Sequence, residues 1–287
     1  MRSSSIFYDK NRRIINSVSR MKNESLLSHA YNASLYLSFR EDLFIFGYIL
    51  QALEELDDNI ERENIDNLMA SIHLSLLSGY HTYNLPMYYN RDRDTVTNKD
   101  TLHKYCNESI AELIIIILSR KGINRLLGCK GVNKGYLIKL IRLMTEHMNT
   151  KNISDMNNYL KSDSREALLE SMICEEMYRV FRLSFIGFEI LRGVYPRNEL
   201  MLDIDKLSDA FSKIYILTYT DLHKPYDTIQ SCNENEEKFT VNKSIIMEIL
   251  LKRNYYNRSF GNILQFIERQ FLCKIRDSMR QNTRRII

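Results

Sequence analysis

Six carboxylates fall within ten residues, Glu54, Glu55, Asp57, Asp58, Glu61 and Glu63, directly after the apolar run "FIFGYILQAL". On a helix, residues three and four apart share a face, so the carboxylates of Asp57, Asp58 and Glu61 would converge below one turn. Magnesium takes one or two protein carboxylates, keeps several waters and draws its remaining ligands from substrate phosphates. A D-D-x-x-E triplet on a helix therefore suits a diphosphate bridged by Mg²⁺. The ordinary alternative is an acidic helix face meeting water. The apolar run before the triplet favours the site, because a buried helix has little reason to carry charge at its foot.

Few other residues offer chemistry. His29, His73, His81, His103, His147 and His223 form no H-E-x-x-H pair and no tight cluster. His223, two residues after Asp221, could orient a ligand, although a histidine at a helix end is the plainer reading. No G-x-G-x-x-G, P-loop or G-x-S-x-G occurs. The five cysteines, Cys106, Cys129, Cys174, Cys232 and Cys273, include no C-x-x-C and are odd in number. That is the pattern of reduced thiols in a cytoplasmic compartment, and it provides no zinc framework.

These residues must be positioned by helices. The 287 residues contain only 9 glycines and 3 prolines, the two types that break helices and build turns. "REDLFIFGYILQALEELDDNIERE" is apolar nearly all round from Leu43 to Leu56, as expected of a helix inside a bundle. "NIDNLMASIHLSLLSGY" continues helically to a stop at Gly79. Residues 80–105 break the pattern with Pro86 and clustered tyrosines and form a loop or insertion. "NESIAELIIIILSRKG" has β-branched residues that would suit a buried strand, but its helical neighbours and Gly122 as a C-cap favour a helix. "GYLIKLIRLMTEHMNT" is amphipathic. A long helix starts at a cap on Asp163 or Ser164 and closes at Gly193. Another ends before Pro225, "IQSCNENEEKFTVN" reads as a polar loop, and two helices close the chain. The sum is one all-α domain over residues 1–287, a single large bundle of about ten helices.

The net charge of +4 demands no nucleic acid, and the basic end "KIRDSMRQNTRRII" reads as a solvated helix terminus. The longest apolar run, "LIIIIL", is far too short for a bilayer, which needs about 20 residues. "MRSSSIFYDKNRR" lacks the apolar segment of a secretory signal; its arginines and serines also fit a mitochondrial presequence, against which Asp9 stands.

Four landmarks in order resemble the trans-isoprenyl diphosphate synthases, with a geranylgeranyl diphosphate synthase flavour. "LLSHAYNASLYLSFREDLFIFGYILQALEELDDNIE" resembles the two helices leading into that family's first aspartate motif. "YLIKLIRLMTEHMNTKNISDMNNYLKSDSREALLESM" resembles its central helices. "AFSKIYILTYTDLHKP" stands where the second aspartate motif belongs, with "NEEKFTVNKSIIMEIL" in the place of the lysine-containing loop. "NRSFGNILQFIERQFLCKI" resembles the closing helix pair. The resemblance spans Leu26 to Ile275 and implies an isoprenoid-synthase fold. It implies Mg²⁺-dependent condensation of an allylic diphosphate with isopentenyl diphosphate by a homodimer or a heterodimer with a related subunit. It assigns metal binding to Asp57, Asp58, Glu61 and Asp221, with Asp57 and Asp58 catalytic, and diphosphate contact to Lys238. Ala52 and Leu53 would help form the floor that limits product length.

The chain departs from the family pattern at several cations. Asp66 and Asn67 stand where an arginine pair is expected, and Glu176 and Met177 where Lys-Thr is expected. Asp221 is alone in the second motif. Two alternatives follow: a non-catalytic subunit paired with an active synthase, or a terpene or squalene synthase type of enzyme on the same fold.

Overall fold

With so few residues that stop a helix, the chain forms helices throughout the parts described. A computed structural model describes residues 27, 29–32, 45–84, 106–146, 165–219 and 229–286. Eight helices of ten residues or more occur among them: α1 Ile45–Glu54, α2 Arg62–Asn84, α3 Glu108–Leu127, α4 Lys134–Glu146, α5 Arg165–Leu191, α6 Asn198–Tyr219, α7 Ile229–Lys252 and α8 Arg258–Ile286. No strand occurs among the described residues. None of the helices is long and apolar enough to cross a membrane, among the described residues. The chain divides into two compact units, Met1–Lys161 with Ile186–Tyr195, and Ser162–Phe185 with Pro196–Ile287.

In the first unit, α1 is buried on every side from Ile45 to Leu53. Helix α2 is buried almost as completely, from Asn64 to Gly79. Ala70, Leu74 and Leu77 of α2 meet Ala111, Ile114 and Leu118 of α3 in one core cluster that also takes in Ala30 and Tyr31. Each large aliphatic side chain buried this way contributes roughly 1.5–3 kcal/mol. The β-branched run is helical, and its periodicity splits it: Ile114 and Leu118 are buried while Leu113 and Ile116 face out. Asn107 caps α3 by accepting the Ile110 N–H at 3.1 Å.

Two glycines expected to end helices lie inside them. Gly79 sits within α2, which runs on to Asn84. Gly122 sits within α3, which ends five residues later at Leu127 with Gly128 as its C-cap. A Cβ on Gly122 would stand 3.1 Å from the Ser71 carbonyl oxygen and 3.4 Å from Leu74 Cβ. Close approach of two helices, not chain reversal, is what requires glycine there. Gly193 does close α5: its φ is +82°, and the Val194 N–H reaches the Glu189 carbonyl at 2.9 Å.

In the second unit α6 packs on α7 and α8, and α7 on α8. Aromatic side chains fill it: Phe185 lies 6.2 Å from Phe211 and 5.9 Å from Tyr255, and Phe239 stacks on Phe271 at 4.2 Å between centroids. The segment expected to be a polar loop is the first half of α7. Cys232, Asn235, Phe239, Asn242 and Ile246 recur every three or four residues on its buried face. Two of those five are asparagines, so the stripe is masked in the sequence.

Candidate functional site

The acidic segment is a turn, not the foot of a helix. Helix α1 ends at Glu54, and residues 55–60 fold as turns before α2 begins at Arg62. Two causes act together. Carboxylates accumulating at a helix C-terminus oppose its negative dipole end. In addition, the Asp57 side chain turns back on its own backbone: Oδ1 accepts the Asn59 N–H at 3.1 Å and Asn59 Nδ2 at 3.0 Å. The shared helical face expected for Asp57, Asp58 and Glu61 is therefore absent.

Asp57 is also held from elsewhere in the chain. Arg192, just past the end of α5, donates from Nε to Asp57 Oδ2 at 3.1 Å and from Nη1 to Glu189 Oε1 at 3.1 Å. The Asn59 backbone N–H, with smaller help from the Asn59 side chain and Arg192, keeps the Asp57 carboxyl below its ordinary pKa against the opposing effect of burial. Glu63 pairs with Lys130 at 2.8 Å. Asn64 clamps the same loop, donating to the Lys130 carbonyl at 2.9 Å and accepting the Lys130 N–H at 2.8 Å. Asp58 and Glu61 are exposed. Ala52 and Leu53 are buried.

These contacts decide whether magnesium fits. A carboxylate has about four acceptor positions, and three at Asp57 are filled by N–H donors. No group of three His, Cys, Asp or Glu side chains that could hold a metal ion occurs among the described residues. The described carboxylates do not fit a divalent ion as they stand. Asp221 and His223 lie outside the described residues.

Lys238 has a different setting. It is on α7, not in a loop, and lines a cleft of about 930 Å³ within the second unit. Lys213, Glu234 and Glu237 bring the lining's formal charge to zero, and Ile216, Leu217, Val241 and Ile245 provide an apolar wall. Lys213 is held by Asp209 at 2.6 Å. Lys238 has no ion pair among the described residues, so it is the cation of this cleft that a ligand can claim without breaking a contact.

Two features were not foreseen from sequence. The Arg192 bridge joins positions 135 apart and has no local signal. Glu176 and Arg179 form an i,i+3 pair at 2.5 Å in which both side chains are nearly buried; its spacing was legible, its burial was not. Arg179 Nε and Nη1 have no acceptor among the described residues. The position where a lysine was expected thus carries a carboxylate neutralised one turn on.

No protein-family model and no curated protein sequence matches the chain. Solved structures do match its fold. A geranyltransferase from Legionella pneumophila superposes with a TM-score of 0.66 at 16% identity, covering 94% of this chain and 98% of that one. An isoprenoid synthase family member from Thermotoga neapolitana gives a TM-score of 0.59 at 17% identity, covering 91% and 96%. The chain shares the fold of these two structures, an isoprenoid-synthase fold that is all-α as expected.

Proposed function

We propose that the chain is a prenyltransferase acting on prenyl diphosphates, condensing an allylic diphosphate with isopentenyl diphosphate in the manner of a geranylgeranyl diphosphate synthase. In that reaction the allylic C–O bond breaks and diphosphate leaves. The isopentenyl double bond attacks the allylic carbon, and loss of a proton restores an alkene. The observation that carries the reading is the extent of the fold match, which takes in nearly the whole of a geranyltransferase. The placement of Lys238 supports it, since a cation beside Ile216, Leu217, Val241 and Ile245 suits a ligand with an anionic head and an apolar tail. Asp57, Asp58, Glu61 and Asp221 are the residues through which magnesium would enter this reading. The described carboxylates do not fit the ion as they stand.

A homodimer, or a heterodimer with a related chain, goes with the proposal, and so does a cytoplasmic location. The exposed Leu113 and Ile116 on α3 support the first, and five cysteines that form no disulfide the second. The test is incubation of the purified protein with Mg²⁺, isopentenyl diphosphate and each allylic diphosphate in turn. An elongated prenyl product is expected. A product formed without isopentenyl diphosphate would instead point to a terpene or squalene synthase type of activity.

A second reading, a non-catalytic subunit paired with an active synthase, is favoured by the Asp57–Arg192 contact. No turnover by folded protein with any of the substrates would leave that reading in place of the first.

A further inference from the structure

We propose that Arg192 is the resident cation of the acidic turn, occupying at Asp57 the place that a divalent metal would otherwise take. The carboxylates around it are Asp57 and Glu189, both reached at 3.1 Å by different nitrogens of one guanidinium. Glu189 is buried to 5% side-chain exposure, so its charge is sheltered from water and requires a counter-ion. The planar guanidinium, unlike a lysine ammonium, can serve two carboxylates at once from separate nitrogens. A Mg²⁺ ion at this place would have to displace Arg192 from Asp57 and compete with the two Asn59 donors at Oδ1. Magnesium dehydrates reluctantly and demands near-octahedral oxygen geometry, and with Arg192 in place Asp57 and Glu189 present it with oxygens that are already engaged.

The inference does not rest on the proposed reaction: it concerns which cation neutralises this turn, and it holds for an enzyme or a partner subunit alike. Asp57, Glu189 and Arg192 then form an ion-paired clasp between the turn before α2 and the end of α5.

The test reads thermal unfolding of the full chain with and without millimolar Mn²⁺, a spectroscopically convenient stand-in for Mg²⁺, and involves no activity assay. Wild type is expected to show no Asp57-dependent change in midpoint. Arg192→Met removes the guanidinium from both Asp57 and Glu189, and Mn²⁺ is expected to raise its midpoint by about 3 °C or more. A metal response of wild type that Asp57→Asn leaves intact places the ion elsewhere and agrees with the proposal. A wild-type response that Asp57→Asn abolishes overturns it, as does an Arg192→Met protein indifferent to Mn²⁺. Should Arg192→Met be unfolded alone, refolding on addition of Mn²⁺ supports the clasp and failure to refold contradicts it.

Discussion

The acidic turn of the first unit and the lysine-bearing cleft of the second spend their charges in opposite ways. At the turn, Asp57 and Glu63 are tied to Arg192 and Lys130, and Glu189 shares the same arginine. In the cleft, Lys238 stands on an exposed helix position without an ion pair among the described residues. A group whose charge is already neutralised contributes to holding the chain, whereas an unengaged cation beside an apolar wall is available to a ligand. The comparison teaches that the most conspicuous motif in a sequence need not be the reactive one. Damage to the turn should appear as lost stability and damage to the cleft as lost binding.

The largest stability effect expected lies on α2, the helix the turn introduces. His73 is fully buried beside Phe46, and burial drives its pKa down to about 4 from 6.5. The unfolded chain takes up a proton near pH 6.5 that the folded chain refuses until about pH 4. Stability is therefore complete above pH 6.5 and falls as the pH drops towards 4, by on the order of 3 kcal/mol. Urea unfolding at pH 7.5 and pH 5 should show about 2 kcal/mol of this loss for wild type and a smaller one for His73→Leu. Equal losses would assign the acid sensitivity to other groups.

Asp203 provides the control within the second unit. It is buried and held by Lys252 at 2.9 Å and by Arg253 Nε at 2.6 Å, joining α6 to the end of α7. Removing a buried partner leaves charges uncompensated. Because Lys252 and Arg253 are partly exposed, Asp203→Ala is expected to cost about 2 kcal/mol in chemical denaturation. Its ligand affinity should stay at the wild-type level, which separates this paired charge from Lys238.

Smaller effects bear on the turn itself. Asp57→Asn keeps the shape but loses the charge that Arg192 and Asn59 engage, and should destabilise by about 1 kcal/mol. The double substitution Asp58→Asn, Glu61→Gln touches exposed side chains and should shift the midpoint by less than about 1 °C. If the double variant were the more damaging of the two, the roles assigned within the turn would be reversed.

Much of the fold was legible because its signals are local. Scarce glycine and proline, the apolar run of α1, the amphipathic pattern of α4 and the closure of α5 at Gly193 each sit in a short window. Where the sequence misled, the deciding contact was distant or the stripe was disguised. The helical reading ran through Glu54–Glu61 because apolar residues preceded it, while backbone capture by Asp57 and charge at the helix end stop it sooner. Gly122 reads as a cap until Ser71 is placed against it. The buried stripe of α7 is interrupted by Asn235 and Asn242, so Lys238 seemed to belong to a loop. The site was less legible still, since Arg192 lies far along the chain from Asp57 and nothing near either residue announces the other.

Calorimetric titration of geranyl diphosphate into wild type, Lys238→Met and Asp57→Asn tests the central claim most directly. The account predicts binding to wild type, affinity at least about tenfold weaker in Lys238→Met, as expected for the loss of one charge-assisted contact, and wild-type affinity in Asp57→Asn. Undiminished binding by folded Lys238→Met, with binding abolished in Asp57→Asn, would contradict it.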